Sequence, residues 1–445
     1  MTNDTCEKTI IKKLTWRLIP FVAAAYVLCM VDRNNLGIAA LTMNKDLGFT
    51  ATLFGWGAGI FYVGYFFFEV PSNLALQKFG ARRWIARIMI SWGLVSGAMA
   101  FVSGSASFLA LRFLLGVAES GFFPGIVFYL SHWFPERHRA VVLSRFLFAQ
   151  SFAIVVSSTI SGAILSTMNG FLGMAGWKWL FTIEAAPTVI MGITTFFYLT
   201  DKPAQAVWLE SGERGWLQAQ MDEERERLEA VQKLTLWQAL GHPRVLVLGL
   251  VYMGLVVCSS ATVIFLPQMV KALGGFSSFQ IGLIVAVPYV IACIAMLLTG
   301  YSSDRRRERK YHLLCSMLTM TMGLLGAALF HTNVVLTVIC MSMVVAGYFS
   351  ALTLFWILPS AFLTGTASAG GIALINSIGN LGGFFSQASM GWLKDRTGDF
   401  RTGLVLLAVA VTLAAVVAFV IWSQIEAQRR LSSQRQPQPA KAGTA

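Results

Sequence analysis

The chain has 445 residues, of which 56% are hydrophobic and 12% are charged, and its formal net charge is +13. Because an ordinary soluble domain contains about 25% charged residues, this composition excludes a soluble globular protein and indicates an integral membrane protein. The basic residues lie at the ends of apolar runs and not on an aromatic-interleaved patch. This distribution argues against nucleic-acid binding and favours positive-inside membrane topology.

Twelve apolar runs follow one another along the chain, and each reaches the roughly 20 residues that a membrane-spanning helix requires. The first run follows a basic start but lacks a convincing signal-peptide cleavage site, so we expect it to be retained. The predicted spans cover residues 16–42, 51–77, 84–104, 107–133, 143–167, 179–200, 244–270, 278–302, 311–331, 334–363, 369–393 and 402–424. The sequence therefore predicts an all-α membrane protein with twelve transmembrane helices.

Lysine and arginine are concentrated after the second, fourth and eighth spans. The positive-inside rule places these loops and both chain termini in the cytoplasm, and the protein in the cell (inner) membrane. One loop runs against this rule, because "KDRTGDFR", residues 394–401, is predicted to lie outside although it is basic. Late charges have less influence on an orientation that earlier helices have set.

A hydrophilic stretch at 201–240 divides the spans into two halves, and its later part has the spacing of a short surface helix. We expect it to be a cytoplasmic linker and not a catalytic domain. The predicted organisation is a cytoplasmic N-terminal leader at 1–15, an N-terminal six-helix bundle at 16–200, the linker at 201–240, a C-terminal six-helix bundle at 241–425 and a disordered cytoplasmic tail at 426–445.

Several charged residues lie within otherwise apolar spans, and four of them are considered as one set: Asp32, Arg33, Arg112 and Glu119. Each ionised side chain near a bilayer centre costs about 2.5 to 3.5 kcal/mol on insertion scales. Arg112 and Glu119 are seven residues apart, which returns them to one stripe of a helix. Structural pairing within the bundle is one interpretation, but four desolvated groups are an expensive way to pack two helices. We therefore predict that Asp32 and Glu119 carry protons, with Arg33 and Arg112 as charge partners that also attract an anion.

Neutral side chains that can form hydrogen bonds, within the second, fifth, tenth and eleventh spans, are candidates for binding a hydroxylated substrate. A hydrogen bond between helices without any ligand is the alternative for each of them. The predicted substrate-binding residues are Tyr65, Gln150, Thr353, Trp356, Asn376 and Asn380. The charged residues that we assign to gates or to structural support are Glu69, Arg82, Arg83, Arg145, Asp304 and Arg305.

The sequence lacks the common motifs for catalysis and cofactor binding. The six cysteines have no CxxC or other metal-like spacing, and no His, Cys and acid cluster resembles a metal site. The sequence contains no GxSxG, Walker loop or HExxH motif. We therefore predict that the protein is not an enzyme and that it uses no metal and no cofactor.

The two halves share a loop pattern, since "NLALQKFGARR" at 73–83 and "GYSSDRRRERK" at 300–310 both follow the second span of a half. This repetition predicts two parallel six-helix repeats. "GYSSDRRRERK" resembles the G-x-x-x-D-R-x-x-x-R-R loop signature of the major facilitator superfamily, and "GWKWLF" at 176–181 resembles the entry to its sixth helix. In the first-half loop, Gln77 stands where the superfamily usually has an acid.

The likeness is closest to the anion:cation symporter family of that superfamily. It covers nearly the whole chain and rests on "DRNNLGIAALTMNKDLG", "FFEVPSNLALQKFGARRWIAR", "RFLLGVAESGFFPG" and "DKPAQAVWL". The resemblance implies proton-coupled import of carboxylates, with proton sites on the first and fourth helices. It also implies that the second, fifth, tenth and eleventh helices line the substrate site, and that the protein is a monomer.

Together these features predict a secondary active transporter in the lipid bilayer. It would import an organic carboxylate, such as a sugar acid, dicarboxylate or aromatic acid, by proton symport with alternating access. A proton-coupled drug exporter of the same fold is the first alternative, although the fifth span, "FAIVVSSTISGAILSTMNG", lacks the prolines that such exporters share there. A non-transporting membrane sensor that uses residues 201–240 as its output is the second alternative.

Overall fold

The computed structural model describes residues 3–230, 243–356, 358 and 366–435. Within these residues the protein consists of fourteen α-helices, a few short 3-10 turns and connecting loops, with no strand. The helices are α1 (Asn3–Asp46), α2 (Ala51–Phe79), α3 (Ala81–Ala98), α4 (Ser105–Glu119), α5 (Phe122–Ser131), α6 (Glu136–Thr167), α7 (Gly176–Tyr198), α8 (Ser211–Ala230), α9 (Pro243–Ala272), α10 (Ser278–Arg306), α11 (Lys310–Leu329), α12 (Val334–Phe355), α13 (Thr366–Thr397) and α14 (Arg401–Arg435).

The predicted all-α membrane fold is confirmed. Ten helical segments of the described chain are long and apolar enough to cross a membrane. The other two predicted spans, 143–167 and 369–393, lie within α6 and α13. A helix satisfies its own backbone hydrogen bonds, which is why apolar runs of this length fold as helices in lipid.

Some predicted boundaries are corrected by the structure. The leader at 1–15 is not a separate segment, because α1 begins at Asn3 and continues into the first span. The tail was predicted to be disordered from residue 426, but α14 continues as a helix to Arg435. Of the predicted linker, residues 231–240 lie outside the described residues, as do 436–445 of the predicted tail.

The helices form two halves of six spans each, α1–α7 and α9–α14, with α4 and α5 forming one interrupted span. The halves pack through α2 against α13, α6 against α10, and α1 against α9. Small residues allow these close contacts: a Cβ atom on Gly55 would meet the carbonyl of Gln387, and one on Gly162 would lie 2.7 Å from the carbonyl of Ser278. Close approach at glycines is the usual way in which membrane helices pack.

We call the end of the molecule that holds loop 47–50 the far end, and the end that holds the amino terminus the near end. At the far end, Asp395 of α13 accepts hydrogen bonds from the backbone N–H groups of Ala51 (3.1 Å) and Thr52 (2.7 Å). A carboxylate from the C-terminal half therefore caps the first turn of α2 in the N-terminal half. The basic segment 394–401, which ran against the topology rule, thus lies where the two halves meet.

The linker helix α8 docks on the near end of the N-terminal half. Leu217 is fully buried there, and Trp208 stacks on Trp133 with ring centroids 5.4 Å apart. Glu213 forms an ion pair with Lys13 of α1 at 2.5 Å. Burial raises the pKa of Glu213, but the hydrogen bond and charge of Lys13 outweigh it, so the net pKa is lowered. These contacts fix the start of the linker to one half only.

Candidate functional site

A central cavity lies between the two halves, about midway along the spans. Its volume is about 120 Å³, whereas one water molecule needs roughly 10–15 Å³ on the same measure. Both halves contribute polar and aromatic side chains to its wall. These include Tyr26, Arg33, Asn34, Tyr62, Tyr65, Arg112, Gln150, Tyr252, Ser260, Tyr348, Trp356, Asn376, Asn380 and Gln387.

The fourth span is broken beside this cavity. α4 ends at Glu119, and Gly121 then adopts φ +83°, a left-handed conformation that residues with a Cβ atom rarely adopt. Ser72 of α2 donates a hydrogen bond to the carbonyl of Ser120 at 2.7 Å, and Trp84 donates to the Ser72 hydroxyl at 3.0 Å. These bonds satisfy backbone that the break leaves without a helical partner. The break thus places the Glu119 carboxylate at a helix terminus.

Arg33 and Glu119 form an ion pair at the cavity wall. The Arg33 Nε donates to Glu119 Oε1 at 2.5 Å, and the second contact runs from the Arg33 Nη2 to the same oxygen. The Arg33 side chain is 27% exposed, whereas that of Glu119 is 1% exposed. The cavity is therefore lined by the arginine, with the acid behind it. The Cys29 thiol donates a further bond to Oε1 at 3.2 Å, while Oε2 has no partner.

Arg112 reaches the same cavity without an acidic partner. Its guanidinium donates to the carbonyls of Gly57 and Ala58, each at 3.2 Å, and lies 5.1 Å from the ring centroid of Phe61. No carboxylate in the described chain lies within ion-pair distance of it. Because Arg33 is neutralised and Arg112 is not, this part of the wall carries a net positive charge. As predicted from their spacing, Arg112 and Glu119 share the buried stripe of α4.

Asp32 does not line the cavity in this conformation, and its role as a proton carrier stays a prediction. Its carboxylate is 1% exposed and accepts hydrogen bonds from Trp92 (2.6 Å), Ser96 (2.8 Å) and Thr188 (3.0 Å). Consecutive helical residues point about 100° apart. Asp32 therefore faces α3 and α7 inside the N-terminal half while its neighbour Arg33 faces α4 and the cavity.

Glu69, predicted to act in a gate or as structural support, connects the two halves. Its carboxylate accepts hydrogen bonds from the Asn376 amide at 2.9 Å and the Ser377 hydroxyl at 2.6 Å, both on α13. Glu69 is 1% exposed, and all of these groups are buried. A buried carboxylate that bridges α2 and α13 ties the wall of the cavity to the contact between the halves.

Five of the six predicted substrate-binding residues line the cavity: Tyr65, Gln150, Trp356, Asn376 and Asn380. Thr353 does not, because its side chain is exposed away from the cavity and its hydroxyl donates to the Ser350 carbonyl at 2.8 Å. Its assignment to the substrate site finds no support in this conformation and stays a prediction. Gln150 accepts a long hydrogen bond from the Tyr26 hydroxyl at 3.4 Å, and Asn376 is engaged by Glu69.

Sequence reasoning missed most of the cavity's tyrosines, namely Tyr26, Tyr62, Tyr252 and Tyr348. Their signal was weak, because tyrosine is common in membrane spans and each residue is surrounded by apolar neighbours. A tyrosine far from either end of a span is still informative, since its hydroxyl needs a partner there.

Apart from Glu69, the predicted gate residues lie towards the end of the molecule that holds the amino terminus, the near end. Three of them are exposed: Arg83, Asp304 and Arg305. The Asp304 Oδ1 atom lies 3.7 Å from the Arg309 Nη2 atom, in the loop between α10 and α11. Arg82 places its guanidinium 5.3 Å from the ring centroid of Phe196, and its backbone N–H donates to Asp201 at 2.7 Å. Arg145 lies on α6, but its side chain is outside the described residues. Gate roles for these residues remain predictions.

The described residues contain no group of three or more His, Cys, Asp or Glu side chains that could hold a metal ion. Two packed six-span halves around a buried, charged cavity define a membrane transporter and not an enzyme. A family model described as the Major Facilitator Superfamily matches residues 22–387. The chain belongs to the major facilitator superfamily.

Curated relatives resemble the chain over almost its full length. A protein of Agrobacterium vitis named "Putative tartrate transporter" is 48% identical over 419 residues, covering 94% of this chain and 96% of that protein. A "Quinolone resistance transporter" of Acinetobacter baumannii is 37% identical over 425 residues, covering 95% of this chain and 97% of that protein. The names of these two relatives assign different classes of cargo to those proteins.

Solved structures share the fold. A crystal structure of a D-xylose-proton symporter superposes with a TM-score of 0.71 at 16% identity, covering 92% of this chain and 97% of that chain. A bacterial homolog of the human lysosomal transporter Spinster, in an inward-facing and unoccupied conformation, gives a TM-score of 0.70 at 15% identity, with 91% and 96% covered. At such identities the likeness concerns the fold alone.

Proposed function

We propose that this protein imports an organic carboxylate anion together with protons by alternating access. The observation that carries the proposal is the Arg33–Glu119 ion pair beside a second guanidinium, Arg112, in one cavity. The proposed setting is the bacterial inner membrane, with both termini in the cytoplasm and the protein as a monomer.

The ion pair couples the anion to a proton by competition for Arg33. A substrate carboxylate that binds Arg33 while Glu119 is ionised would leave a buried carboxylate without its cation. Breaking a buried pair in this way costs about 3–5 kcal/mol. Protonation of Glu119 removes its charge and releases the guanidinium, so that anion and proton bind together. When both leave, the Arg33–Glu119 pair forms again and returns the empty carrier to its resting state.

The wall of the cavity supports a small hydroxylated or aromatic acid as the cargo. Arg112 supplies a cation with no acid competing for it, and guanidinium binds carboxylate through charge-assisted hydrogen bonds. Tyrosine, serine and amide side chains around it offer donors and acceptors for hydroxyl groups. Two guanidinium groups in one chamber favour a dicarboxylate, which agrees with the name of the Agrobacterium vitis relative.

Export of an aromatic acid or drug is the second candidate. It is favoured by the name of the Acinetobacter baumannii relative and by the aromatic side chains of the cavity wall, including Tyr62, Tyr252 and Trp356. An exporter would use the same acids but release its cargo to the opposite side of the membrane. The two candidates therefore differ in direction and not in architecture.

The proposal is tested with the purified full-length protein in liposomes and radiolabelled L-tartrate, D-gluconate and benzoate. We expect an inward pH gradient to drive uphill accumulation of at least one of these acids. Glu119→Gln, which mimics the protonated acid, should retain exchange of labelled for unlabelled acid at equal pH and lose accumulation. Glu226→Gln, on the exposed surface of α8, is the matched control.

Two results would contradict the proposal. One is uptake of a labelled acid that is unaffected by the pH gradient in the wild-type protein. The other is full accumulation by Glu119→Gln. Accumulation of norfloxacin, but of none of the three acids, in vesicles with the exporter orientation would instead support the second candidate.

A further inference from the structure

Glu184 of α7 is a buried acid that the mechanism above does not use. It is 5% exposed and accepts a hydrogen bond from the Ser161 hydroxyl of α6 at 2.6 Å. The Asn35 amide of α1 is a second neighbouring donor, although within the described residues neither Asn35 Nδ2 nor Glu184 Oε2 makes a hydrogen bond of normal geometry. Across the residues that the structure describes, no cation lies within ion-pair distance of it. Burial without a cation disfavours the ionised form of this carboxylate.

A threonine hydroxyl connects the region around Glu184 to Asp32. Thr188 lies one helical turn after Glu184, so their Cβ atoms are about 5–6 Å apart. The Thr188 hydroxyl donates to Asp32 Oδ2 at 3.0 Å. The other groups that contact Asp32 are the neutral donors Trp92 and Ser96 on α3. The charge of Asp32 acts on Glu184, and the charge of Glu119 acts in turn on Asp32.

Polar side chains also lie between Glu184 and the central cavity. Ser157 lies one turn before Ser161 on α6, and both are fully buried. The Ser157 hydroxyl accepts a hydrogen bond at 3.0 Å from the amide of Asn34, which lines the cavity. Polar groups therefore follow one another from the cavity to Asp32, which itself has no place on the cavity wall.

Within the described residues, three buried polar atoms along this route lack a hydrogen bond of normal geometry: Asn34 Oδ1, Asn35 Nδ2 and Glu184 Oε2. Asn35 is also a neighbour of the Glu184 carboxylate. Polar atoms of this kind in a protein interior are the usual positions of buried water, which would bridge these groups between α1, α6 and α7. Apolar side chains at these positions would have packed the bundle without leaving any polar group unsatisfied.

We propose that Glu184 is a third proton carrier, which transfers protons between the central cavity and Asp32. The proton of Glu184 passes to a bridging water or to the Thr188 hydroxyl, which releases its own proton to Asp32 Oδ2. The hydroxyl then rotates back, so that one proton has moved and no other bond has changed. This inference rests on the proposed proton coupling, and it explains how the sealed Asp32 exchanges protons.

A spectroscopic experiment tests the inference without any substrate. Infrared difference spectra of the purified full-length protein between acidic and alkaline pH report the carbonyl stretch of protonated carboxylic acids. We expect Glu184→Gln and Asp32→Asn each to remove part of this signal. Glu226→Gln is the control and should leave it unchanged. A Glu184→Gln spectrum that matches the wild-type spectrum at every pH would overturn the inference.

Transport measurements separate proton transfer from a structural role. Glu184→Gln should retain exchange of labelled for unlabelled L-tartrate at equal pH and slow pH-driven accumulation by roughly tenfold or more. It should also increase the slowing that D₂O causes, because proton transfer then limits the rate. Glu184→Asp keeps a titratable group and should restore part of the rate. Loss of exchange as well as accumulation, without rescue by Glu184→Asp, would identify a merely structural residue. Absence of accumulation of all three acids, L-tartrate, D-gluconate and benzoate, by the wild-type protein would refute the proposed function and leave the infrared result to decide the role of Glu184.

Discussion

The Arg33 guanidinium covers the Glu119 carboxylate at the wall of the central cavity. Under the proposed function, an entering substrate would meet the cation first, and the acid would respond only through it. Arg112, on the same wall, bonds to two backbone carbonyls and lacks such an acid within the described chain. The proposal therefore gives the two arginines separate roles: Arg33 would link anion and proton, and Arg112 would attract the anion throughout.

Arg112→Gln should weaken binding of the carboxylate without abolishing coupling. A hydrogen bond to a charged group contributes about 1.5–3 kcal/mol, which corresponds to roughly a 10- to 100-fold loss of affinity. Arg112→Lys keeps the charge and should lose less. Ligand-dependent thermal stabilisation by L-tartrate measures the affinity, with Arg401→Gln on the exposed start of α14 as control. Equal stabilisation of wild-type and Arg112→Gln protein would exclude Arg112 from the anion site.

Glu69→Gln should loosen the contact between the halves near the cavity. The variant loses charge-assisted bonds from Asn376 and Ser377, and the expected effect is about 1 kcal/mol, or roughly a fivefold shift between conformations. Spin labels at Lys78→Cys and Arg306→Cys, in a background without reactive cysteines, would report the shift as a changed distance distribution. A double-mutant cycle with Asn376→Ala gives the coupling energy. A coupling energy of zero would show that Glu69 does not hold the halves together.

Asp395→Asn should make opening of the far end easier. A carboxylate at a helix N-terminus contributes about 0.3–1 kcal/mol, so the open population should increase by roughly two- to fivefold. Labelling of Val263→Cys in the cavity wall by an impermeant maleimide from the far side measures this population. Asp399→Asn is the matched control, because Asp399 bonds to Arg401 of its own half. Identical labelling rates in both variants would rule out Asp395 as a contact that favours closure.

The Asp395 contact should depend little on pH in the physiological range. Asp395 lies beyond the apolar run that ends at residue 393. Burial raises its pKa, but hydrogen bonds from Thr52 and Ala51 outweigh this and lower the pKa overall. A lowered carboxyl pKa gives stability that is present above the ordinary value of about 3.9 and is lost as the pH falls through the lower value. The labelling rate should therefore stay constant from neutral pH down to the ordinary carboxyl range.

Gly121→Ala should destabilise the protein at the break between α4 and α5. The left-handed conformation costs a residue with a Cβ atom about 1–2 kcal/mol, and the new methyl group would overlap Ser72. We expect a lower melting temperature and weaker pH-driven uptake, since Glu119 precedes the break by two residues. Gly104→Ala is the control, because its backbone is extended and no atom lies within 4 Å of the added Cβ. Equal melting temperatures for both variants would contradict this account.

Much of the architecture was predictable from the sequence, because membrane insertion depends on local composition. A run of about 20 apolar residues must satisfy its own backbone hydrogen bonds in lipid, so it becomes a helix whatever surrounds it. The same reasoning identified the charged residues, since burying an ion within an apolar run costs free energy and therefore points to a function. Arg112 and Glu119 were correctly placed on one stripe because they lie on the same helix, seven residues or about two turns apart.

Partnerships between helices were not predictable in this way. Asp32 and Arg33 are adjacent in sequence, yet one is enclosed by Trp92, Ser96 and Thr188 while the other pairs with Glu119. The rotation of α1 about its axis decides this, and it depends on packing against three other helices at once. The sequence by itself thus determined the spans, the two halves and which ions are buried. Only the tertiary structure decided which acid has a cation, which cation is free for an anion, and which acid is enclosed, because these depend on contacts between segments far apart in the chain.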